Sequence, residues 1–379
     1  MEGRTVTNVT ISSTSSTADL AMIAERRGGL AALLGLLILE EPGPGLAALI
    51  GDIAALAQLG SGDPTIATEY ERVLLRGVPL YESVFRSDDG QRGGETISAV
   101  VDRYERLGFS EHLDNRWRVA GPDHLGLELR CLAHLCHREA TAWRGGTPDE
   151  AIEAVEAERT FLAHHLSGWA PVALECALRS AGESSYAPVL QAIADHLSEE
   201  FDRLRPAPDL ASAIEIEPLP ANLGPARLSR LILAPATSGT WVDAAVIARA
   251  SRQIGAPWRP SDTRSALRHV IEDAENTGDL DVVLEPIAAC LGAAIDSYRL
   301  AAERSPGNAA NARRWVLTAE TMRARLAQIA ESGINGRHRL VASETFTVSG
   351  PDPERLAAAI DNMIADLRHQ GLDVQRQNE

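Results

Sequence analysis

Apolar residues recur at α-helical spacing through most of the first half of the chain. Clear runs are Leu30, Leu33, Leu34 and Leu37, then Ile50, Ile53 and Leu56, then Val100, Val101, Tyr104 and Leu107. An amphipathic helix needs an apolar residue every three to four positions, so this spacing predicts helices. Clusters of Pro and Gly separate the runs, and strand-type alternation is scarce. The pattern predicts an all-α fold for residues 19–205.

Three further regions differ in pattern. Residues 1–18 are rich in Ser and Thr and predict a flexible tail. Repeated prolines in 206–226 interrupt any helix and predict a linker. Helical spacing returns in 227–379, so a second, mainly helical domain is expected there. Within it, the stretch 340–348 alternates in the manner of one short strand near the C-terminus.

Composition excludes several classes of function. The formal net charge is −17, which disfavours nucleic-acid binding and favours either a basic partner or simple solubility. The sequence contains no lysine, because all 36 basic residues are arginine. Schiff-base chemistry and a phosphate-binding loop lysine are therefore excluded. The four cysteines form no CxxC pair and read as reduced, buried thiols of a cytoplasmic protein.

Arg26 and Arg27 precede the apolar run 30–39, an order that also occurs in twin-arginine export signals. Here Glu25 lies beside the pair, acidic residues and a proline follow the run, and the run is too short to span a bilayer. The stretch predicts a buried first helix, and no membrane span is expected.

The stretch 121–136, GPDHLGLELRCLAHLC, has the composition of a metal site. On a helix, however, His124 and Cys131 lie about 10 Å apart along the axis, too far for one ion. Cys131 and Cys136 also point in different directions. No metal is therefore expected, and a metal-dependent hydrolase using Asp123, His124 and His134 is kept as an alternative.

Gly121-Pro122-Asp123 is typical of a helix start. Either Asp123 caps the first free N–H groups, or Gly121 caps them with Pro122 in the first turn. His124 is then expected in the first turn, where the helix dipole favours its neutral form.

Four segments, in this order, resemble the TorD/DmsD/NarJ family of maturation chaperones: EYERVLLRGVPLYESVF (69–85), YERLGF (104–109), PDHLGLEL (122–129) and FLAHHLSGWAP (161–171). The resemblance covers about residues 20–200. It implies a TorD-like helical globule at 19–205, and a cytoplasmic chaperone rather than an enzyme. Such a chaperone binds the catalytic subunit of a molybdopterin-containing oxidoreductase, through its twin-arginine signal peptide, until the cofactor is inserted. It implies no cofactor of its own.

The resemblance also implies a set of client-binding residues: Tyr81, Glu82, Ser83, Phe85, Asp123, His124 and Glu128. The chemistry fits, because arginine side chains pair bidentately with carboxylates and an apolar groove suits the rest of a signal peptide. Phe161, Leu162 and Trp169 are expected in the core, and His165 is expected to be packed or hydrogen-bonded.

Two questions stay open in the sequence. The first half can be a folded scaffold while residues 227–379 bind the partner, and no residue there identifies a function. A homodimer is equally compatible with the pattern.

Overall fold

Helices joined by short turns make up the described part of the chain. The computed structural model describes residues 16–41, 43–50, 56, 58–61, 63–111, 121–207, 223–256 and 262–333. The α-helices in these residues are α1 (Thr17–Leu39), α2 (Pro44–Ile50), α3 (Pro64–Tyr70), α4 (Glu82–Arg86), α5 (Glu95–Leu107), α6 (Leu125–Gly145), α7 (Pro148–Phe161), α8 (Ala170–Ala181), α9 (Ala187–Leu204), α10 (Pro225–Leu233), α11 (Pro235–Ser238), α12 (Ala244–Gln253), α13 (Thr263–Thr277), α14 (Leu280–Arg304) and α15 (Ala309–Ser332).

The all-α prediction is confirmed. The described residues contain no strand, only an isolated antiparallel bridge between Tyr81 and His124. The short strand predicted at 340–348 lies outside the described residues, as do residues 1–15 of the tail and most of the linker. Among the described helices, none combines the length and apolar character that crossing a membrane needs.

Helix α1 starts at a capping box. The Ser16 hydroxyl accepts a hydrogen bond from the Asp19 amide (3.2 Å), and the Asp19 carboxylate accepts one from the Ser16 amide (3.1 Å). This exchange satisfies two N–H groups that a helix start would otherwise leave open. The helix therefore begins at Thr17, within the stretch predicted as a tail.

Helices α1 and α6 pack closely because glycines line their contact. A Cβ atom on Gly35 would lie 2.6 Å from the carbonyl oxygen of Gly126. A Cβ atom on Gly126 would lie 2.5 Å from Cγ of Leu39. Both distances are impossible for real side chains, so the two helices can meet at this depth only with glycine at these positions.

The paired arginines lie in α1, which forms the buried first helix that the sequence predicts. Arg27 extends into a cluster of three glutamates, each from a different helix. Its guanidinium contacts the carboxylates of Glu139 (2.8 Å), Glu158 (2.5 Å) and Glu200 (2.7 Å). Burial raises the pKa of Glu158 to about 7 despite two arginine neighbours, Arg27 and Arg203. Arg27 thus ties α1 to α6, α7 and α9.

Two hydrophobic clusters form the interior, and α14 and α15 contribute to both. Ala294, Tyr298 and Trp315 pack with the core built by the first nine helices. On the same two helices, Ile295 and Met322 pack with the core of α10, α12 and α13. The prediction of a domain boundary at 206–226 stays a prediction, but the helices on its two sides share packed side chains.

The turn 167–169 is the polar part of this contact. The indole N–H of Trp315 donates to the carbonyl oxygen of Gly168 (2.7 Å), and so does the guanidinium of Arg314 (3.1 Å). The side-chain amide of Asn308 donates to the carbonyl oxygen of Ser167 (3.2 Å). Three donors from the start of α15 therefore hold the connection between α7 and α8.

We expect Trp315→Ala to destabilise the whole helical unit. Removing a buried indole and its hydrogen bond costs about 3–5 kcal/mol. Leu317→Ala, two residues away on the same helix and 53% exposed, is the matched control and should cost less than about 0.5 kcal/mol. Urea unfolding followed by circular dichroism measures both. Equal urea midpoints for Trp315→Ala and Leu317→Ala would contradict the conclusion that α15 shares a core with the first nine helices.

Candidate functional site

Segments 80–83 and 123–125 pair side by side and create the candidate site. The amide of Leu125 donates to the carbonyl oxygen of Leu80, and the amide of Glu82 donates to that of Asp123, both at 2.9 Å. One Asp123 carboxylate oxygen, Oδ2, also accepts the amide of Ser83 (3.0 Å). The start of α4 is thus fixed against the start of α6.

The structure corrects the predicted cap of α6. His124, and not Asp123 or Gly121, is the capping residue, and its Nδ1 accepts the amide of Gly126 (3.1 Å). The side chain of Asp123 points instead toward α4, where its carboxylate accepts a hydrogen bond from the Ser83 amide. An Nδ1 that accepts leaves the ring proton on Nε2. Burial, and then the positive charge of Arg92, lower the pKa of His124 to about 3, so the imidazole is neutral.

Glu82 is the centre of what we call the carboxylate cluster: Glu82, Asp123, Glu128 and His165. The side chain of Glu82 is fully buried. Its Oε1 accepts from the guanidinium of Arg86, one helical turn on (2.5 Å), and its Oε2 contacts Nδ1 of His165 (3.1 Å). Arg86 also donates to the carbonyl oxygen of His164 (2.7 Å). Glu82 thereby joins α4 to the π-helical turn 162–166 that follows α7.

Glu128 behaves as a neutral acid. It is fully buried, and neither of its oxygens receives a hydrogen bond from an N–H or O–H donor of the described residues. Burial, and then the charges of Glu82 and Asp123, raise its pKa well above the ordinary value. A protonated Glu128 can donate its proton to the carboxylate of Glu82, a contact that also raises the pKa.

Aromatic rings enclose this cluster. Tyr81 meets the ring of His124 edge-on, with centroids 4.9 Å apart, and Phe85 packs against Trp169 at 6.0 Å. Tyr104 donates its hydroxyl proton to the carbonyl oxygen of Pro122 (3.0 Å). These rings belong to the buried interior in which Glu128 lies, and the low dielectric of such an interior disfavours a charged carboxylate.

All seven residues predicted from the sequence lie in this one place, and all seven are buried: Tyr81, Glu82, Ser83, Phe85, Asp123, His124 and Glu128. Their carboxylates face groups of the same chain. That they contact a client stays a prediction. Phe161, Leu162 and Trp169 are in the core, and His165 is hydrogen-bonded, as expected.

Sequence reasoning missed the arginines of the site. Arg86 follows Glu82 by four residues, a spacing that predicts an ion pair on a helix. Arg103 contacts Nδ1 of His164 (3.3 Å), and Arg314 reaches Gly168 from α15. No local pattern could place Arg103 and Arg314 here, because tertiary packing brings their helices to the turn.

The metal interpretation finds no support in the described residues, where no group of three or more His, Cys, Asp or Glu side chains could hold an ion. Cys131 and Cys136 are buried separately, and Nε2 of His134 contacts the carbonyl oxygen of Leu107 (3.1 Å).

Comparison with known proteins identifies the region around the cluster. Residues 42–175 match the family described as nitrate reductase delta subunit. A chlorate reductase assembly chaperone protein of Ideonella dechloratans is 32% identical over 133 residues, which is 35% of this chain and 59% of the relative. A selenate reductase assembly chaperone protein of Thauera selenatis is 34% identical over 131 residues, which is 32% of this chain and 64% of the relative.

The chain thus spans about three fifths of the length of these two relatives. The resemblance to the maturation-chaperone family, stated above on four segments, is confirmed. The matched region contains every residue of the carboxylate cluster, while α9 to α15 lie beyond it.

We expect Glu128→Gln and Glu82→Gln to have different effects on stability. A neutral amide replaces a carboxyl that is already protonated, so Glu128→Gln should change stability at pH 5 by less than about 0.5 kcal/mol. Glu82→Gln removes the charge that Arg86 and His165 contact, so it should cost about 2 kcal/mol. Thermal or urea unfolding of both variants checks the difference.

The effect of Glu128→Gln on stability should depend on pH. Glu128 keeps its proton in the fold above the pH, near 4.5, at which the unfolded chain releases it. Its contribution to stability is therefore complete below pH 4.5 and is lost as the pH rises. Between pH 5 and pH 8, the free energy of unfolding of Glu128→Gln should therefore rise relative to that of the unsubstituted protein. A loss of several kcal/mol at pH 8 would show that Glu128 is charged in the fold.

Proposed function

We propose that this chain is an assembly chaperone, not an enzyme, for the catalytic subunit of a molybdopterin-containing oxidoreductase. It holds that subunit in the cytoplasm while the cofactor is inserted. The observation that carries the proposal is the match of residues 42–175, which contain the carboxylate cluster, to the family described as nitrate reductase delta subunit, together with the similarity of this chain to two reductase assembly chaperones.

The chemistry of the cluster supports a binding protein. Catalysis needs a reacting group that a substrate can reach. Glu82, Asp123 and His124 are buried, and their hydrogen bonds connect segments of the same chain. Groups held in this way position the loops around them, which is what a binding surface needs.

The contact with the client is proposed to include a signal peptide with paired arginines. The net charge of −17 attracts such a peptide over a long range. The Glu82 carboxylate is buried, but its partner Arg86 is 20% exposed. A guanidinium from solvent can therefore reach Glu82 if it displaces Arg86. An arginine of the peptide would take the place of Arg86 on the Oε1 atom of Glu82, so that one ion pair replaces another.

Co-purification tests the chaperone function. The full chain, tagged and expressed in its native cytoplasm, should retain a molybdopterin oxidoreductase catalytic subunit, and mass spectrometry of the eluate identifies it. The client should be retained most when cofactor synthesis is blocked, because its release follows cofactor insertion. Repeated purification without any such subunit would contradict the proposal.

Peptide titration tests the signal-peptide contact separately. A client signal peptide should bind with a Kd in the micromolar range, and replacing its two arginines by glutamine should weaken binding about tenfold. Arg86→Gln should strengthen binding of the arginine peptide, because it removes the internal guanidinium that competes with the peptide for the Oε1 atom of Glu82. Arg138→Gln, at an exposed position of α6, is the matched control. Equal affinity for the two peptides would exclude recognition of the arginine pair.

A further inference from the structure

Positive charge collects on the surface next to the carboxylate cluster. We call Arg86, Arg103 and Arg314, grouped around His164, the arginine rim. Arg86 donates to the carbonyl oxygen of His164 (2.7 Å), and Arg103 contacts its ring Nδ1 (3.3 Å). Arg314, from α15, lies close enough to Arg86 for the two charges to repel. Arg86 and Arg103 thus meet at one exposed histidine, and Arg314 donates to the carbonyl oxygen of Gly168 (3.1 Å), four residues further along the chain.

The charges of the rim are crowded. Burial, and then the charge of Arg86, lower the pKa of Arg314 to about 10. Burial, and then Arg106, lower the pKa of Arg103, whose Nε is buried with no partner among the described residues. Burial, and then Arg103, lower the pKa of His164 as well. Each group would be stabilised by an anion placed nearby.

The rim stands out against the rest of the molecule. The chain as a whole carries a net charge of −17. Salt screens distant charges beyond about 8–10 Å, so a ligand at the rim experiences mainly the local arginines and the buried Glu82 carboxylate that Arg86 contacts. An acidic ligand has no general reason to approach this protein, and a specific reason to bind here.

The arrangement indicates what kind of anion fits. Arg86 and Arg103 contact two different atoms of His164, its carbonyl oxygen and its ring Nδ1, so their guanidinium groups approach this residue at separate points. Arg314 lies on a third element and donates to Gly168. Planar guanidinium groups pair well with carboxylates, and separated ones suit several carboxylates along an extended chain better than one compact phosphate.

We propose that the arginine rim binds an acidic peptide segment of the partner protein, a contact separate from that of the paired arginines. The identity of this partner as the client rests on the proposed function. The binding of acidic peptide does not, and it is measured without a client. With both contacts, one client would be held by a basic and by an acidic segment.

The test uses the full chain and a fluorescein-labelled octaglutamate peptide, followed by fluorescence anisotropy at low salt. We expect saturable binding that raised salt weakens, and no binding of octaglutamine. Arg103→Glu should weaken binding about tenfold or more, because reversing a close charge replaces attraction by repulsion. Arg103→Lys keeps the charge and should retain most of the affinity.

Arg138→Glu is the matched control, since it makes the same change of net charge at an exposed position of α6 and should alter affinity less than twofold. If Arg103→Glu unfolds, Arg103→Gln provides the same comparison. Failure of octaglutamate to bind, or equal effects at positions 103 and 138, would overturn the proposal. So would tighter binding of inorganic pyrophosphate than of octaglutamate, which would indicate a phosphate site.

If the rim proposal fails while the client still co-purifies, the chaperone function stands without this contact. If octaglutamate binds at the rim and no client co-purifies, the acidic partner is a different protein.

Discussion

The position of Asp123 determines the geometry of the whole site. Its carbonyl oxygen accepts the amide of Glu82, and its carboxylate accepts the amide of Ser83. Helix α4 has only five residues, too few to be stable by itself, so these two bonds and the packing of Phe85 on Trp169 fix where it lies. Once α4 is fixed, Glu82 can lie only beside Glu128 and His165.

Burying three carboxyl groups in one place is unfavourable unless their charge is reduced or paired. The cluster does both. Glu82 contacts Arg86 and His165, while burial and the neighbouring acids raise the pKa of Glu128 and so favour its neutral form. Asp123 keeps one oxygen on a backbone amide. Such a network fixes one arrangement of α4, α6 and the turn 162–166, because a shift of any of them would leave a buried polar group without its partner.

The sequence predicts the helices well and the environment of the site poorly. Apolar spacing reports the faces of single helices, so α1, α5 and α6 were predictable from the residues that repeat along them. The sequence Gly121-Pro122-Asp123 led to the wrong cap for α6, because Asp123 could act locally on its own helix or across to α4, and only tertiary packing decides between them. The spacing of Glu82 and Arg86 does predict their ion pair, whereas the burial of the three acids depends on tertiary packing that no local pattern reports.

The helices beyond the matched region complete the site. Arg314 and Trp315 both donate to Gly168, in the turn that follows His164 and His165, so the position of that turn depends on α15. His165 contacts Glu82, and His164 connects Arg86 to Arg103. A residue more than a hundred positions outside the family match thus holds the loop on which the carboxylate cluster and the arginine rim meet. The position of the turn that carries His164 and His165 therefore depends on side chains from the second half of this chain.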